Sequence, residues 1–163
     1  MKMSVIYHSE NGNTQKMAEI IVSAMNTLDG AEAKSFSIDK IDENWVMDSK
    51  CVIVGTPIYM ANLTSKLKLW LETDAKNYAL SGKIGGAFAT AAYVHGGGDL
   101  GIRTILDHMM CYGMLTYSAG GSQGVPVIHL GPVSINENCE NYTETFEIYG
   151  KRMAEKTLEV FSK

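Results

Sequence analysis

Apolar and polar positions follow one another in blocks that read as strands and helices in turn. Val5-Ile6-Tyr7 is a short apolar run, and it ends in a polar turn, His8 to Thr14. Met17, Ile20, Ile21, Met25 and Leu28 then recur at helical spacing, and Leu28-Asp29-Gly30 is a stop signal. Residues 32–37 alternate as a short, partly exposed strand would. Residues 38–49 are polar and acidic, with Trp45 expected to cover the sheet. Cys51 to Gly55 is continuously apolar, which suits a strand buried on both faces, and Thr56-Pro57 is expected to end it. A turn at 57–62 leads to a helix with Leu63, Leu67, Trp70 and Leu71 on one face. Residues 83–90 form a strand of small residues, whose glycines imply close helix packing. A third turn, 91–99, holds three consecutive glycines. Asp99 is the expected cap of a helix carrying Leu100, Ile102, Ile105, Leu106 and Met109, and Gly113 ends it. Residues 114–118 make a fifth strand. Residues 119–136 read as a long Gly/Pro loop with a strand piece at 125–130. Asn136 or Asn138 then opens a last helix with Tyr142, Phe146, Tyr149, Met153, Leu158 and Phe161.

Five strands alternating with helices predict a single α/β domain over residues 1–163. The expected architecture is a three-layer, doubly wound sheet of five parallel strands in the order 2-1-3-4-5. That order brings the turns after strands 1, 3 and 4 together at the carboxyl edge, beside the switch point. Composition agrees: 45% hydrophobic and 20% charged residues are globular values. The net charge of −4 argues against a nucleic-acid surface. Three widely spaced cysteines, Cys51, Cys111 and Cys139, read as reduced thiols in a cytoplasmic protein. No apolar run approaches membrane-spanning length, so no membrane insertion is expected. His8, His95 and His129 fit no metal motif and read as surface or hydrogen-bonding residues, so no metal site and no catalytic side chain is assigned.

The first turn carries the chemistry. Ser9, Glu10, Asn11, Gly12, Asn13 and Thr14 join a strand directly to a helix. Hydroxyls flank a flexible glycine, and Asn or Thr can cap the helix start. Unpaired amides and the positive end of the helix dipole then meet at one point, which suits a phosphate. The turn has no Lys or Arg, so amides and hydroxyls would do the holding. The pattern aliphatic, aliphatic, Tyr7, any, Ser9, two of any, Gly12, any, Thr14, then Ala18 and Ile21, resembles the flavodoxin phosphate loop at every position. In that family the loop wraps the 5′-phosphate of FMN. The nucleoside-triphosphate and dinucleotide glycine motifs are absent. A CheY-like receiver shares the fold, but Tyr7-His8 and Thr56-Pro57 stand where it needs acids.

Two further turns extend the resemblance. Gly55-Thr56-Pro57-Ile58-Tyr59-Met60-Ala61-Asn62 looks like the second flavin loop of the WrbA-type NAD(P)H:quinone oxidoreductases. There, Pro57 to Asn62 would meet the polar edge of the ring, and Tyr59 or Met60 its face. Thr90-Ala91-Ala92-Tyr93, with Gly96 and Gly97, resembles the third flavin loop, with Tyr93 as a stacking residue. The resemblance implies FMN as cofactor and NADH or NADPH as electron donor. The implied activity is two-electron reduction, with a quinone, a flavin or a redox protein as acceptor. A one-electron carrier, or a flavin-binding module without turnover acting through a partner, are the alternatives. Residues 57–65 contain no acid of the kind that surrounds the ring in carrier flavodoxins, which favours the reductase. Carriers also ease a peptide flip in this loop with glycine. Here Met60, Ala61 and Asn62 stand there, and Asn62 is the residue expected to reach left-handed geometry. Tyr112 occupies the place where WrbA-type enzymes tend to have His. The apolar site loops make a homodimer an expectation as well.

Overall fold

The computed structural model describes residues 1–162, the side chain of Glu137 excepted. Five strands form the body of one sheet: β1 (Lys2–Tyr7), β2 (Glu32–Ser37), β3 (Cys51–Tyr59), β5 (Ile84–Ala91) and β6 (Leu115–Thr116). Their spatial order is β2-β1-β3-β5-β6, and all are parallel, as expected for strands 2-1-3-4-5. A two-residue β4 (Asn62–Leu63) folds back on β3, and β7 (Val133–Ile135) pairs with the far end of β5.

Helices cover both faces, which is why β1 and β3 carry apolar residues at nearly every position. Met3, Val5, Cys51 and Ile53 point into a core shared with α1 (Asn13–Met25) and α5 (Thr143–Phe161). Ile6, Val52 and Val54 point the other way, into a core shared with α3 (Ser65–Thr73) and α4 (Gly98–Cys111). The glycines of β5 admit side chains from both layers. A Cβ at Gly85 would meet Met109 and Met114, and one at Gly86 would meet Tyr149 and Met153. Trp45, on the short α2 (Glu43–Asp48), is buried against the sheet and its indole N–H donates to the Met3 carbonyl at 3.2 Å.

Several boundaries differ from the sequence reading. The fifth strand is split. β6 reaches only Thr116, and the chain returns to the sheet at Val133, not at 125–130. The carbonyls of residues 123–126 are occupied elsewhere. The Arg152 guanidinium on α5 donates to the carbonyls of Gln123, Pro126, Val125 and Gly124 at 3.0 to 3.4 Å. α1 is capped by Gly12 at φ 86, not by an Asn or Thr side chain. Gly97, not Asp99, caps α4, and Asp99 lies in its first turn. Asn136–Tyr142 is a kinked 3-10 segment, so α5 opens at Thr143. No helix among the described residues is long and apolar enough to cross a membrane.

Arg152 thus ties the inserted loop to α5. Arg152→Met should speed amide exchange across residues 118–132 and lower the urea midpoint by the equivalent of about 1–2 kcal/mol, the worth of partly exposed charge-assisted bonds. Exchange no faster than in the parent would show that the loop is held by other contacts.

Candidate functional site

The turns after β1, β3 and β5 meet at the carboxyl edge of the sheet, and each is built by local geometry. In the first, the left-handed Gly12 reverses the chain, and its N–H donates to Ser9 Oγ at 3.1 Å. The Gly12 carbonyl accepts from Lys16 N–H at 2.9 Å, which starts α1. No side chain among the described residues caps α1, whereas Asp42 caps α2 and Thr64 caps α3. The first-turn amides of α1 therefore face the edge with no side chain over them, a suitable seat for an anion. The Thr14 hydroxyl is buried and bonds Thr90 Oγ1 at 2.9 Å, which joins the first turn to the third.

His8 joins the first turn to the second. Its ring is buried, and Nδ1 lies 2.9 Å from Thr64 Oγ1. Thr64 Oγ1 already accepts the Leu67 N–H as helix cap, so its proton is free for Nδ1. Nε2 lies 3.5 Å from Glu10, which in turn lies 3.9 Å from Lys66 Nζ. Burial lowers the His8 pKa below 6.5, Lys66 lowers it further, and Glu10 and Asp39 oppose them.

The second turn is a tight hairpin. β3 does not stop at Thr56-Pro57 but continues to Tyr59, because Pro57 sits in register with Thr90 of β5 and the strand end needs no further N–H there. Tyr59 pairs with Asn62, and the two residues between them, Met60 at φ 51 and Ala61 at φ 64, are both left-handed. Asn62 is not among the left-handed residues, contrary to expectation. Its Oδ1 accepts from Leu63 N–H at 2.8 Å and from the Thr104 hydroxyl at 3.0 Å, and its backbone stays in the hairpin ladder. The third turn closes with Gly96 N–H on the Tyr93 carbonyl at 3.0 Å, and Gly97 at φ 94 leads into α4.

These turns enclose a cleft of about 300 Å³. Ser9, Glu10, Asn11, Asn13 and Thr14 line it from the first turn, with Pro57, Ile58, Tyr59 and Met60 from the second and Thr90, Ala92 and Tyr93 from the third. Ala61, Ala91 and Gly96 line an adjoining hollow between the second and third turns. Gly12 reverses the first turn but is not among the residues that line the cleft. Asn62 faces outward with Thr64, Lys68 and Thr104, and Gly97 lies against the Ala61 carbonyl. Tyr59 is 44% exposed and Tyr93 75%, so both rings are open to a ligand. The sequence reading missed Asn136. It follows β7, lines the same cleft, and its Oδ1 is buried without a hydrogen-bond partner among the described residues. A buried acceptor without a donor fits a ligand carrying hydroxyls. Tyr112, by contrast, spends its hydroxyl on the Leu71 carbonyl at 2.6 Å.

The environment of His8 sets a pH response. A depressed folded-state pKa means that the unfolded chain binds the proton more tightly. The stabilisation is complete above pH 6.5 and is lost as pH falls through the folded value. Urea midpoints of the ligand-free protein should therefore drop as pH falls below 6.5. His8→Asn, which can still accept from Thr64, should flatten that limb. An identical acid limb in both proteins would exclude His8 as its source.

A Flavodoxin domain model matches residues 4–92 of the chain. A flavodoxin of Clostridium saccharobutylicum is 39% identical over 99% of this chain and 100% of its own length. An NAD(P)H dehydrogenase (quinone) of Nitrobacter winogradskyi is 28% identical over 76% of this chain and 75% of its own. Among solved structures, a flavodoxin described as WrbA-like, from Agrobacterium tumefaciens, superposes with a TM-score of 0.81 at 23% identity. The superposition covers 97% of this chain and 98% of that one. The domain match spans more than half the chain and the Clostridium relative matches it end to end: this protein belongs to the flavodoxin family, whose cofactor is FMN.

Proposed function

We propose that this protein binds FMN in the cleft described above and works as an electron-transfer flavodoxin. The observation that carries this reading is the convergence of three unmet features on one cleft. They are the first-turn amides of α1 with no side-chain cap, the partnerless Oδ1 of Asn136, and the exposed rings of Tyr59 and Tyr93. Each matches a different part of FMN: the phosphate, the polyol chain and the planar ring. In this reading Ser9 Oγ and the amides of Asn11, Asn13 and Thr14 hold the phosphate, Asn136 accepts from the polyol, and Tyr59, Met60 and Tyr93 lie against the ring. Bound FMN supplies reversible one- and two-electron chemistry. The protein binds it, orients it and sets its potential. Among the described residues Glu10 is the one carboxylate lining the cleft, and the chemistry asks no bond-breaking of it.

Electrons would pass at the exposed rim formed by Tyr59, Met60, Tyr93 and Val94, where another redox protein can dock. The end-to-end match to a Clostridium flavodoxin supports the carrier role. A second reading is NAD(P)H-dependent two-electron reduction of a quinone or flavin. It has support in the acid-free second turn, residues 57–65, and in the Nitrobacter relative.

Two measurements test these readings. Ser9→Ala and Thr14→Val should each weaken FMN by about 1–3 kcal/mol, the first by losing a donor to a charged group and the second by breaking the link to Thr90. Riboflavin should bind the parent far more weakly and scarcely respond to Ser9→Ala. Equal affinity of the parent for FMN and riboflavin would refute the phosphate seat. Coulometric titration of the FMN-loaded protein should give two separated one-electron steps, with negligible reduction by NADH or NADPH. A single two-electron step with rapid bleaching by either nicotinamide would select the reductase instead.

A further inference from the structure

The hairpin turn of the second loop holds two adjacent non-glycine residues in left-handed geometry, Met60 at φ 51 and Ala61 at φ 64. Such residues are strained and persist only where the surroundings hold them. The two-residue hairpin loop between Tyr59 and Asn62 calls for this geometry at both positions, and one face of α4 packs against it. The Gly97 cap and residues 101 and 104 of α4 lie about one turn apart on that face. Gly97 lies so close to the turn that a Cβ there would collide with the Ala61 carbonyl oxygen. At Gly101 a Cβ would collide with the Ile58 side chain and come within 3.3 Å of Leu63 N. Thr104 shares its hydroxyl proton between its own helix, at the Leu100 carbonyl (2.8 Å), and Asn62 Oδ1 (3.0 Å). Asn62 Oδ1 also accepts from Leu63 N–H at 2.8 Å, so the hydroxyl steadies the side chain that closes the hairpin.

We infer that Gly101 and Thr104, with Gly97, are positioning residues: they hold the Met60–Ala61 turn against α4 in its left-handed form and thereby set the backbone that the flavin ring meets. This rests on the proposal that the ring lies against the second turn. The first half of it concerns the protein alone and can be judged without any flavin. None of the three residues lines the cleft that would hold the cofactor, so each acts through the turn.

Two substitutions separate positioning from plain support. Thr104→Val keeps the shape and removes the hydroxyl. Gly101→Ala improves helix propensity, yet presses on Ile58 and Leu63. Arg103→Ala, on an exposed side chain paired with Asp107, serves as control. In the flavin-free protein, amide exchange at residues 60–63 should accelerate in Thr104→Val by about three- to tenfold, the worth of one neutral hydrogen bond. With flavin, both variants should weaken FMN and riboflavin by the same factor, because the change reaches the ring and not the phosphate. The midpoint potential should move in both, and Gly101→Ala should do this without losing thermal stability. Arg103→Ala should change none of these. Unaltered exchange at 60–63 in flavin-free Thr104→Val would overturn the inference whatever the flavin results. Accelerated exchange with unaltered affinity and potential would keep the α4 brace but remove its role toward the ring. If the parent itself failed to bind FMN, the functional proposal would fall while the exchange result still stood.

Discussion

A parallel sheet covered on both faces leaves its polar chain reversals only the two sheet edges, and this constraint places every feature of the cleft. β1, β3 and β5 are adjacent and run the same way, so their carboxyl ends arrive side by side. The turns that leave them cannot bury unsatisfied amides in the helical layers. They bond one another instead: Thr14 to Thr90 between the first and third, His8 to Thr64 between the first and second, Thr104 to Asn62 between α4 and the second. These links cross long stretches of sequence. They join the three loops into one hydrogen-bonded frame.

The same frame leaves a small set of groups unmet. Asn136 Oδ1 has no donor, Met60 and Ala61 are strained, and Tyr59 and Tyr93 present rings to solvent. Leaving a buried acceptor unpaired costs roughly 1–3 kcal/mol. Such costs gathered at one cleft are what preorganisation for a ligand looks like: groups are held ready in the free protein, and less ordering remains for the ligand to bring about.

Much of this was legible in the sequence because it is local. Continuous apolar runs identified β1 and β3, helical spacing identified α1 and α4, and three glycine- or proline-marked turns gave most of the cleft lining. What escaped depends on contacts distant along the chain. The split of the fifth strand is set by Arg152 on α5, which occupies the carbonyls of residues 123–126. The left-handed pair at Met60 and Ala61 belongs to the two-residue hairpin loop between Tyr59 and Asn62, and the room for it comes from Gly97 and Gly101, residues some 36 to 40 positions away. Propensity pointed to Asn62, the residue that tolerates such geometry most readily, but the hairpin register puts Asn62 in the ladder. Asn136 reads as a helix opener in the sequence because its type caps helices. Only the pairing of β7 with the end of β5 brings it to the cleft.

The electrostatics of the first turn follow from the same economy of contacts. No cation stands within residues 8–14, and the nearest lysine on α3, Lys66, faces Glu10. An anion seated there is met by fixed dipoles: the α1 amides and the Ser9 hydroxyl. Dipoles select a small, doubly charged group by geometry and fall off steeply with distance, while a lysine would attract any anion from afar. His8 is buried beside this turn, and burial opposes a positive charge on its ring. Its neutral ring accepts from Thr64 while the Thr64 oxygen caps α3. A charged ring would donate to Thr64 Oγ1 instead, so protonation of His8 reverses the bond between the first turn and the α3 cap.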